Sequence, residues 1–209
     1  MNQNEQYGRA LEVLRDGGVV ALPTDTVFGL AAIATDGAAV QRVLDIKGRD
    51  AANPMPLFVG SVEQAQLVAE LTAPASVLAA RFWPGALTIV VPKRPEFRTA
   101  AVPGATVGLR APADPVLREM AAQLGPLTGT SANRSGAPAA RSAAEARAAL
   151  NGDVDLIVDA SLPATGVAST VVDCTDERAV RIVREGAVSR ADIERALAGV
   201  ADVAPAGMS

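Results

Sequence analysis

Short apolar runs, each about the length of a β-strand, recur along this chain and limit its possible folds more than any other feature. They lie at 19–22, 56–60, 87–91, 106–110, 127–130, 155–159, 169–173 and 179–184. Segments with the apolar spacing of amphipathic helices lie at 5–16, 37–48, 62–71, 73–82, 114–124, 142–150 and 189–198. Strands alternate with helices in one half of the chain and follow one another in the other half. The sequence therefore predicts an α/β fold with a twisted, mixed parallel and antiparallel sheet flanked by helices.

The domain organisation follows from what the 209 residues lack. The chain contains no internal repeat and no linker rich enough to divide it, so we expect a single domain over residues 1–199. The last segment, VADVAPAGMS, is predicted to be a flexible tail over 200–209. No stretch approaches the roughly 18 apolar residues of a membrane span, and the first residues lack a signal-peptide pattern, so we expect a cytoplasmic location.

The complete absence of histidine restricts the chemistry that the chain can perform. It excludes Ser-His-Asp and Cys-His catalysis, histidine metal sites and the usual general base near neutral pH. Lysine, arginine, carboxylate, hydroxyl and backbone amide groups or a bound metal remain, and this set suits the handling of phosphate. The net charge of −4 argues against a general electrostatic attraction to nucleic acid. The single cysteine, Cys174, lies in an apolar run, so we expect a buried thiol and no internal disulfide.

Three clusters of small polar and basic residues lie next to predicted strands and helices. The segment PTDT at 23–26 follows a predicted strand, where ligands commonly bind in α/β sheets. Lys47 and Arg49 flank a glycine near the end of a predicted helix. The loop GTSANRSGAP at 129–138 could direct backbone N–H groups at a phosphate. Each cluster alone is more typical of an ordinary turn, helix cap or surface loop, and only their combination favours an anion site.

Two arginines, Arg110 and Arg184, end strand-like runs, and the hydroxyl pair Ser169-Thr170 begins another run. A charge at the end of an apolar strand requires solvent, a salt bridge or a bound anion. The chain contains neither a Walker phosphate loop nor a G-x-G-x-x-G fingerprint. From the residues alone, anion binding and ordinary surface pairing both stay open for these arginines.

Seven segments, in this order, resemble the YrdC-like threonylcarbamoyl-AMP synthase family. They are PTDTVFGL, KGR followed by NP, WPGALT, VGLRAP, TSANRSG, STVVD and RIVREG. Each segment is weak alone, but together they extend from about residue 17 to residue 186. The resemblance implies a single YrdC-like α/β domain with a concave, basic cleft, in the short form of the family that lacks an additional C-terminal domain.

The resemblance also implies an enzyme, an L-threonylcarbamoyladenylate synthase of the nucleotidyltransferase class. Its substrates would be L-threonine, bicarbonate and ATP, and its products threonylcarbamoyl-AMP and pyrophosphate, in the first step of the t6A modification of tRNA. The product would pass to a partner, the tRNA threonylcarbamoyl transferase complex, with at most weak direct contact to tRNA. Mg²⁺ is expected to arrive with ATP, without dedicated protein ligands.

The functional residues of the family map onto this sequence position by position. The resemblance assigns catalytic roles to Lys47 and Arg49. For L-threonine it implies contacts from Thr26, Lys47, Phe58, Arg110 and Ser169. For ATP it implies contacts from Arg49, Asn53, Thr106, Ser131, Asn133 and Arg184. No metal-ligating residue is expected.

Four residues depart from the pattern of the family, and they bear on specificity rather than on the reaction. Phe28 replaces a common tyrosine, and Phe58 stands where many relatives have a histidine close to the threonine. Ala139 stands where a serine or threonine often approaches the nucleotide, and Ala86 interrupts the usual Pro-Gly-Pro.

A double-stranded RNA or tRNA-binding module without catalysis is the main alternative, because a concave basic surface could also hold an RNA helix. The negative net charge and the presence of only six aromatic residues argue against it. A carbamoyl-phosphate-using maturation domain is a second alternative, weakened by the missing zinc-finger and acylphosphatase segments. A non-catalytic scaffold is the third.

Overall fold

Helices and short strands alternate along residues 2–150, 152–159 and 165–205, which the computed structural model of the chain describes. The helices are α1 Gln3–Arg15, α2 Gly37–Lys47, α3 Val62–Val68, α4 Ala73–Phe82, α5 Pro115–Leu124, α6 Ala143–Leu150 and α7 Arg190–Leu197. The strands are β1 Val20–Leu22, β2 Gly29–Ala31, β3 Leu57–Phe58, β4 Leu87–Pro92, β5 Thr106–Arg110, β6 Leu127–Thr128, β7 Thr130–Ser131, β8 Leu156–Ile157, β9 Thr170–Asp173, β10 Ala179–Arg184 and β11 Asp202–Val203. Strands β2 and β11 have no counterpart among the elements predicted from the sequence.

The strands form two mixed sheets, where the sequence predicts one. The larger sheet has seven strands in the order β11-β10-β9-β4-β5-β3-β6, and the smaller has four in the order β7-β2-β1-β8. Strand β4 pairs parallel with β9 and antiparallel with β5, so the predicted mixture of directions is confirmed. The run 127–130 contributes to both sheets, because only Gly129 separates β6 from β7.

Gly129 allows the chain to pass from one sheet to the other. Its backbone N–H donates to the carbonyl oxygen of Pro56 at 2.7 Å. A Cβ atom at this position would lie 3.1 Å from the Phe58 ring and 3.2 Å from that oxygen, closer than most side-chain carbons approach. Any other residue would therefore displace either Phe58 or the junction between the sheets.

Helix α2 shows how the local sequence places a lysine next to this junction. Asp36 caps the first turn by accepting hydrogen bonds from the backbone N–H groups of Ala38 and Ala39. Gly48 ends the helix in the left-handed conformation, with φ of 57°. Lys47 is the last helical residue, and it is only 3% exposed.

Neighbouring strands of the larger sheet supply much of the core. Ile89 on β4, Leu109 on β5 and Val172 on β9 are fully buried in one apolar cluster. Cys174 belongs to the same cluster, and burial raises the pKa of its thiol to about 12, so the expected buried thiol is confirmed. Within the described ranges, no helix is both long enough and apolar enough to cross a membrane.

The predicted flexible tail is wrong for residues 200–205. Strand β11 pairs parallel with β10, with Ala179 opposite Asp202. The backbone N–H of Ala204 also donates to the carbonyl of Val180 at 2.8 Å. Strand β10 would otherwise present unpaired backbone groups on this side, and the segment after α7 satisfies them. The ordered domain therefore extends beyond residue 199, while 206–209 lie outside the described residues.

Leu109→Ala should destabilise the protein by about 2–5 kcal/mol, because it opens a cavity in the fully buried centre of the larger sheet. Leu67→Ala is the matched control, since Leu67 is 76% exposed. Its replacement should change the free energy of unfolding by less than about 0.5 kcal/mol. Urea unfolding followed by circular dichroism measures both values. Equal losses in the two variants would contradict this account of the core.

Candidate functional site

A cavity of about 620 Å³ is lined by residues of both sheets and of the loops between them. Its wall includes residues on β2 and β7 of the smaller sheet and on β3, β4, β5, β9 and β10 of the larger. This volume lies in the range of small-molecule and cofactor sites.

All the charged side chains on the described cavity wall are positive. Four cationic side chains line it, those of Lys47, Arg49, Arg110 and Arg184. Among the described residues that line the cavity, none is acidic, and the other polar side chains are hydroxyls and one asparagine amide. Because like charges held together at a low-dielectric surface repel, this wall favours an anionic ligand.

Arg110 is almost completely buried, and three acceptors hold its guanidinium. Its Nε donates to the carbonyl of Gly85 at 2.9 Å, and its Nη1 donates to the Thr26 hydroxyl at 2.9 Å. Its Nη2 forms an ion pair with Asp25 at 2.7 Å. Burial lowers the pKa of Arg110, and the charge of Asp25 opposes that effect. A guanidinium has five N–H groups, so two remain for a ligand.

The PTDT segment forms a tight turn that presents Thr26 to Arg110. The Thr24 hydroxyl accepts hydrogen bonds from the backbone N–H groups of Thr26 and Val27, at 3.1 and 3.3 Å. It also lies 3.0 Å from the Thr26 hydroxyl, and both side chains are buried. The sequence left open whether the hydroxyls after β1 shape a turn or line a ligand site. In the structure, Thr24 and Thr26 shape a turn and also line the cavity.

The Phe58 ring lies close to the Arg110 guanidinium. Its ring centroid is 5.9 Å from Arg110 Cζ, within reach of a cation–π interaction. The side chain lines the cavity and is 5% exposed. At this position, where the resemblance to the family leads one to expect a histidine, this chain thus presents an apolar face.

Lys47 organises the loop 131–137 with all three of its N–H donors. Its Nζ donates to the carbonyl oxygens of Ser131 and Asn133 at 2.7 and 2.8 Å, and to Asn133 Oδ1 at 3.3 Å. Asn133 in turn donates from Nδ2 to the carbonyls of Arg134 and Ala137, and its Oδ1 accepts from the Ser131 hydroxyl. Burial, followed by repulsion from Arg49, lowers the pKa of Lys47 to about 8.

Arg49 reaches the cavity from the segment after α2. Its Nε donates to the backbone carbonyl of Asn53 at 3.1 Å, and its Nη2 donates to that of Pro54 at 2.9 Å. The Asn53 residue is exposed and does not line the cavity. The main chain of Asn53 positions Arg49. The side chain of Asn53 is the one predicted site group that does not line the cavity.

Arg184 and Ser169 form the opposite part of the wall. Arg184 Nη2 donates to the Ser169 carbonyl at 2.8 Å, and the Ser169 hydroxyl lies 2.9 Å from that of Thr88. Burial lowers the pKa of Arg184. Thr106 lines the same cavity but is exposed.

The fold thus brings all but one of the predicted site residues to a single cavity. Those that line it are Thr26, Lys47, Arg49, Phe58, Thr106, Arg110, Ser131, Asn133, Ser169 and Arg184. The residues that depart from the family pattern at 28 and 139 line it too. The predicted site residues did not include Thr88, and they included neither Thr24 nor Asp25, although both belong to the PTDT cluster. A signal for Asp25 was present, because a buried arginine requires a counter-charge and Asp25 is the only carboxylate of the PTDT segment.

The described lining of the cavity can be compared with the ligands that metal ions prefer in proteins. Across the described residues there is no group of three or more His, Cys, Asp or Glu side chains that could hold one. Mg²⁺ prefers carboxylate and phosphate oxygens, and the described lining residues provide no carboxylate.

The chain is similar in sequence to known proteins over most of its length. The profile of the Sua5/YciO/YrdC family, described as "Telomere recombination", matches residues 12–186. The threonylcarbamoyl-AMP synthase of Pyrococcus abyssi is 38% identical over 187 residues, which cover 88% of this chain and 55% of that protein. The putative threonylcarbamoyl-AMP synthase of Mycobacterium leprae is 40% identical over 190 residues, covering 90% of this chain and 86% of that one.

A solved structure resembles the fold of this chain over the whole length of the chain. The crystal structure of P. abyssi Sua5 complexed with L-threonine superimposes with a TM-score of 0.87 at 34% identity, covering 100% of this chain and 62% of that one. The chain thus spans little more than half the length of the P. abyssi protein. The extent of the profile match and the identity to relatives of similar length show that the chain belongs to the Sua5/YciO/YrdC family.

Proposed function

We propose that this chain is an L-threonylcarbamoyladenylate synthase, which makes threonylcarbamoyl-AMP and pyrophosphate from L-threonine, bicarbonate and ATP. The observation that carries the proposal is one cavity with four cations, no acidic residue among its described lining and a buried arginine beside hydroxyl groups. The names of the P. abyssi and M. leprae relatives support this activity, and so does the L-threonine complex of P. abyssi Sua5. They do not favour the RNA-binding alternative.

The Arg110 end of the cavity suits the amino acid. Two N–H groups of Arg110 are available for a carboxylate, and charge-assisted hydrogen bonds of this kind are strong and directional. The hydroxyls of Thr26 and Ser169 lie on the same wall and can meet the amine and the hydroxyl of threonine. Phe58 would contact the apolar part of that substrate.

Arg49, Arg184 and the loop 131–137 suit the nucleotide. Among the described residues, the partners of both arginines are backbone carbonyls and a hydroxyl, and no described carboxylate neutralises their charge. Polyphosphate can supply that negative charge. Mg²⁺ would be held by the phosphate oxygens of ATP.

The reaction needs no covalent enzyme intermediate. The amine of threonine attacks the carbon of bicarbonate, water leaves, and an N-carboxy-threonine forms. A carbamate oxygen then attacks the α-phosphorus of ATP, and the bond to the bridging oxygen of the β-phosphate breaks to release pyrophosphate. The chain would accelerate this by holding the reactants together and by stabilising the charge that develops on the phosphates.

Lys47 would act on the nucleotide through the loop 131–137 and through its charge. All its donors are engaged with Ser131 and Asn133, so it fixes the direction of the groups that face the phosphates. The transferase complex as recipient of the product, any weak contact with tRNA and the cytoplasmic location belong to this proposal as well.

Pyrophosphate release from ATP tests the proposed function directly. We expect release to require both L-threonine and bicarbonate, and to be slower with L-serine, which lacks the methyl group. Product analysis should show threonylcarbamoyl-AMP and pyrophosphate in equal amounts. Release that is indifferent to threonine and bicarbonate would refute the proposal.

Arg49→Ala should lower kcat/KM for pyrophosphate release by roughly 100-fold, about 3 kcal/mol, because a cation that stabilises phosphate charge is lost. Arg147→Ala is the control, since the Arg147 side chain is 52% exposed and pairs with Asp159 rather than lining the cavity. Circular dichroism should show that both variants fold. Equal activity in the two variants would argue against a role for Arg49.

The affinity for ATP should fall as pH rises above about 8, where Lys47 loses its proton in the ligand-free protein. A bound anion favours the charged form, so binding above that pH should take up a proton, which calorimetry in buffers of different ionisation enthalpy measures. Lys47→Met should lose this dependence and should speed hydrogen exchange in the loop 131–137. A pH dependence that persists in Lys47→Met would assign it to another group.

A further inference from the structure

Asp25 is the only carboxylate that pairs with a cation of the cavity wall within the described residues. The neighbours of Lys47, Arg49 and Arg184 are carbonyl, amide and hydroxyl oxygens, whereas Arg110 binds Asp25 at 2.7 Å. The Asp25 side chain is 20% exposed and that of Arg110 is 5% exposed. Because the pair is largely removed from water, the attraction between its two charges is less screened than in a surface pair.

Asp25 reaches Arg110 without lining the cavity. Thr24 and Thr26, on either side of it in the chain, both line the cavity, but Asp25 does not. Its carboxylate contacts the guanidinium from outside the set of cavity-lining groups. In this arrangement Asp25 would act on a ligand through Arg110.

We propose that Asp25 is a positioning residue that orients Arg110 and neutralises its charge, so that this end of the cavity accepts an amino-acid carboxylate and not a phosphate. This inference rests on the proposed function for its choice of substrate. Of the three acceptors that fix the guanidinium plane, the Gly85 carbonyl and the Thr26 hydroxyl are neutral, and only Asp25 carries a charge.

The charge of Asp25 distinguishes Arg110 from the other three cations of the cavity wall. A neutral Arg110–Asp25 pair keeps two directed N–H donors but carries no net charge, which suits a zwitterion. The three cations without a carboxylate partner keep their attraction for a polyanion. Without Asp25, Arg110 would add a fourth unpaired cation and would compete for phosphate oxygens.

The test measures binding of L-threonine and of ATP separately, by calorimetry, in wild type, Asp25→Asn and Asp173→Asn. Asp25→Asn keeps the shape and an oxygen acceptor but removes the charge. We expect the affinity for threonine to fall at least ~10-fold, with ATP affinity unchanged or higher. In the synthase assay, the KM for threonine should rise more than kcat falls, and pyrophosphate should become a competitive inhibitor against threonine.

Asp173→Asn is the matched control, because Asp173 also pairs with an arginine and its side chain is 21% exposed. It does not line the cavity, so both affinities should stay at wild-type values. Asp25→Glu retains the charge but moves the carboxylate, and we expect a smaller loss of threonine affinity than in Asp25→Asn. If Asp25→Asn does not fold, the threonine affinity of Asp25→Glu provides the test instead.

The outcomes separate this inference from the proposed function. Wild-type threonine affinity in the Asp25 variants, or equal losses for threonine and ATP, would overturn the role of Asp25 even if the synthase reaction is observed. If wild type binds threonine in an Asp25-dependent way but makes no threonylcarbamoyl-AMP, the role of Asp25 is supported and the proposed function is refuted. A wild-type protein that binds no threonine would overturn both.

Discussion

The contact of Arg110 with the turn after β1 joins the two sheets across the cavity. Arg110 ends β5 of the larger sheet, while Asp25 and Thr26 follow β1 of the smaller sheet. One guanidinium therefore adds a side-chain link between two walls whose backbones also meet at Gly129. A planar group with donors in set directions is suited to this, since it tolerates little change in the relative position of its acceptors. The shape of the cavity and the direction of its donors thus have a common origin.

The cavity also depends on a second cation whose role differs. Lys47 draws the carbonyls of Ser131 and Asn133 towards the end of α2, and thereby folds the loop 131–137 over one side of the cavity. Ammonium and guanidinium groups usually oppose the ligand charge directly. Here Lys47 and Arg110 first shape the protein, and the less buried Arg49 and Arg184 are better placed to meet phosphate.

The sequence predicted most of the elements because they depend on local apolar patterns, and the resemblance to the family supplied most of the residues that line the cavity. The apolar runs at 87–91 and 106–110 became β4 and β5, and the hydroxyl and basic segments met in one cavity. What failed depends on contacts between distant residues. The division at Gly129 follows from the close approach of Phe58, and β11 forms only because β10 has a free edge. For Asn53, the sequence indicated the right segment, but its main chain contributes rather than its side chain.

The unpaired charges explain why such a site favours ligand binding over the stability of the empty protein. Burying Lys47 lowers its pKa, which means that the folded protein holds this charge less favourably than water does. Arg184 shows the same direction of change, and no acidic residue among the described lining relieves either. A polyanion supplies the missing charge, so its binding gains free energy that the ligand-free state lacks. Arg110 differs from these cations because Asp25 already provides its counter-charge. Specificity at Arg110 must therefore come from the direction of its N–H donors rather than from net electrostatic attraction.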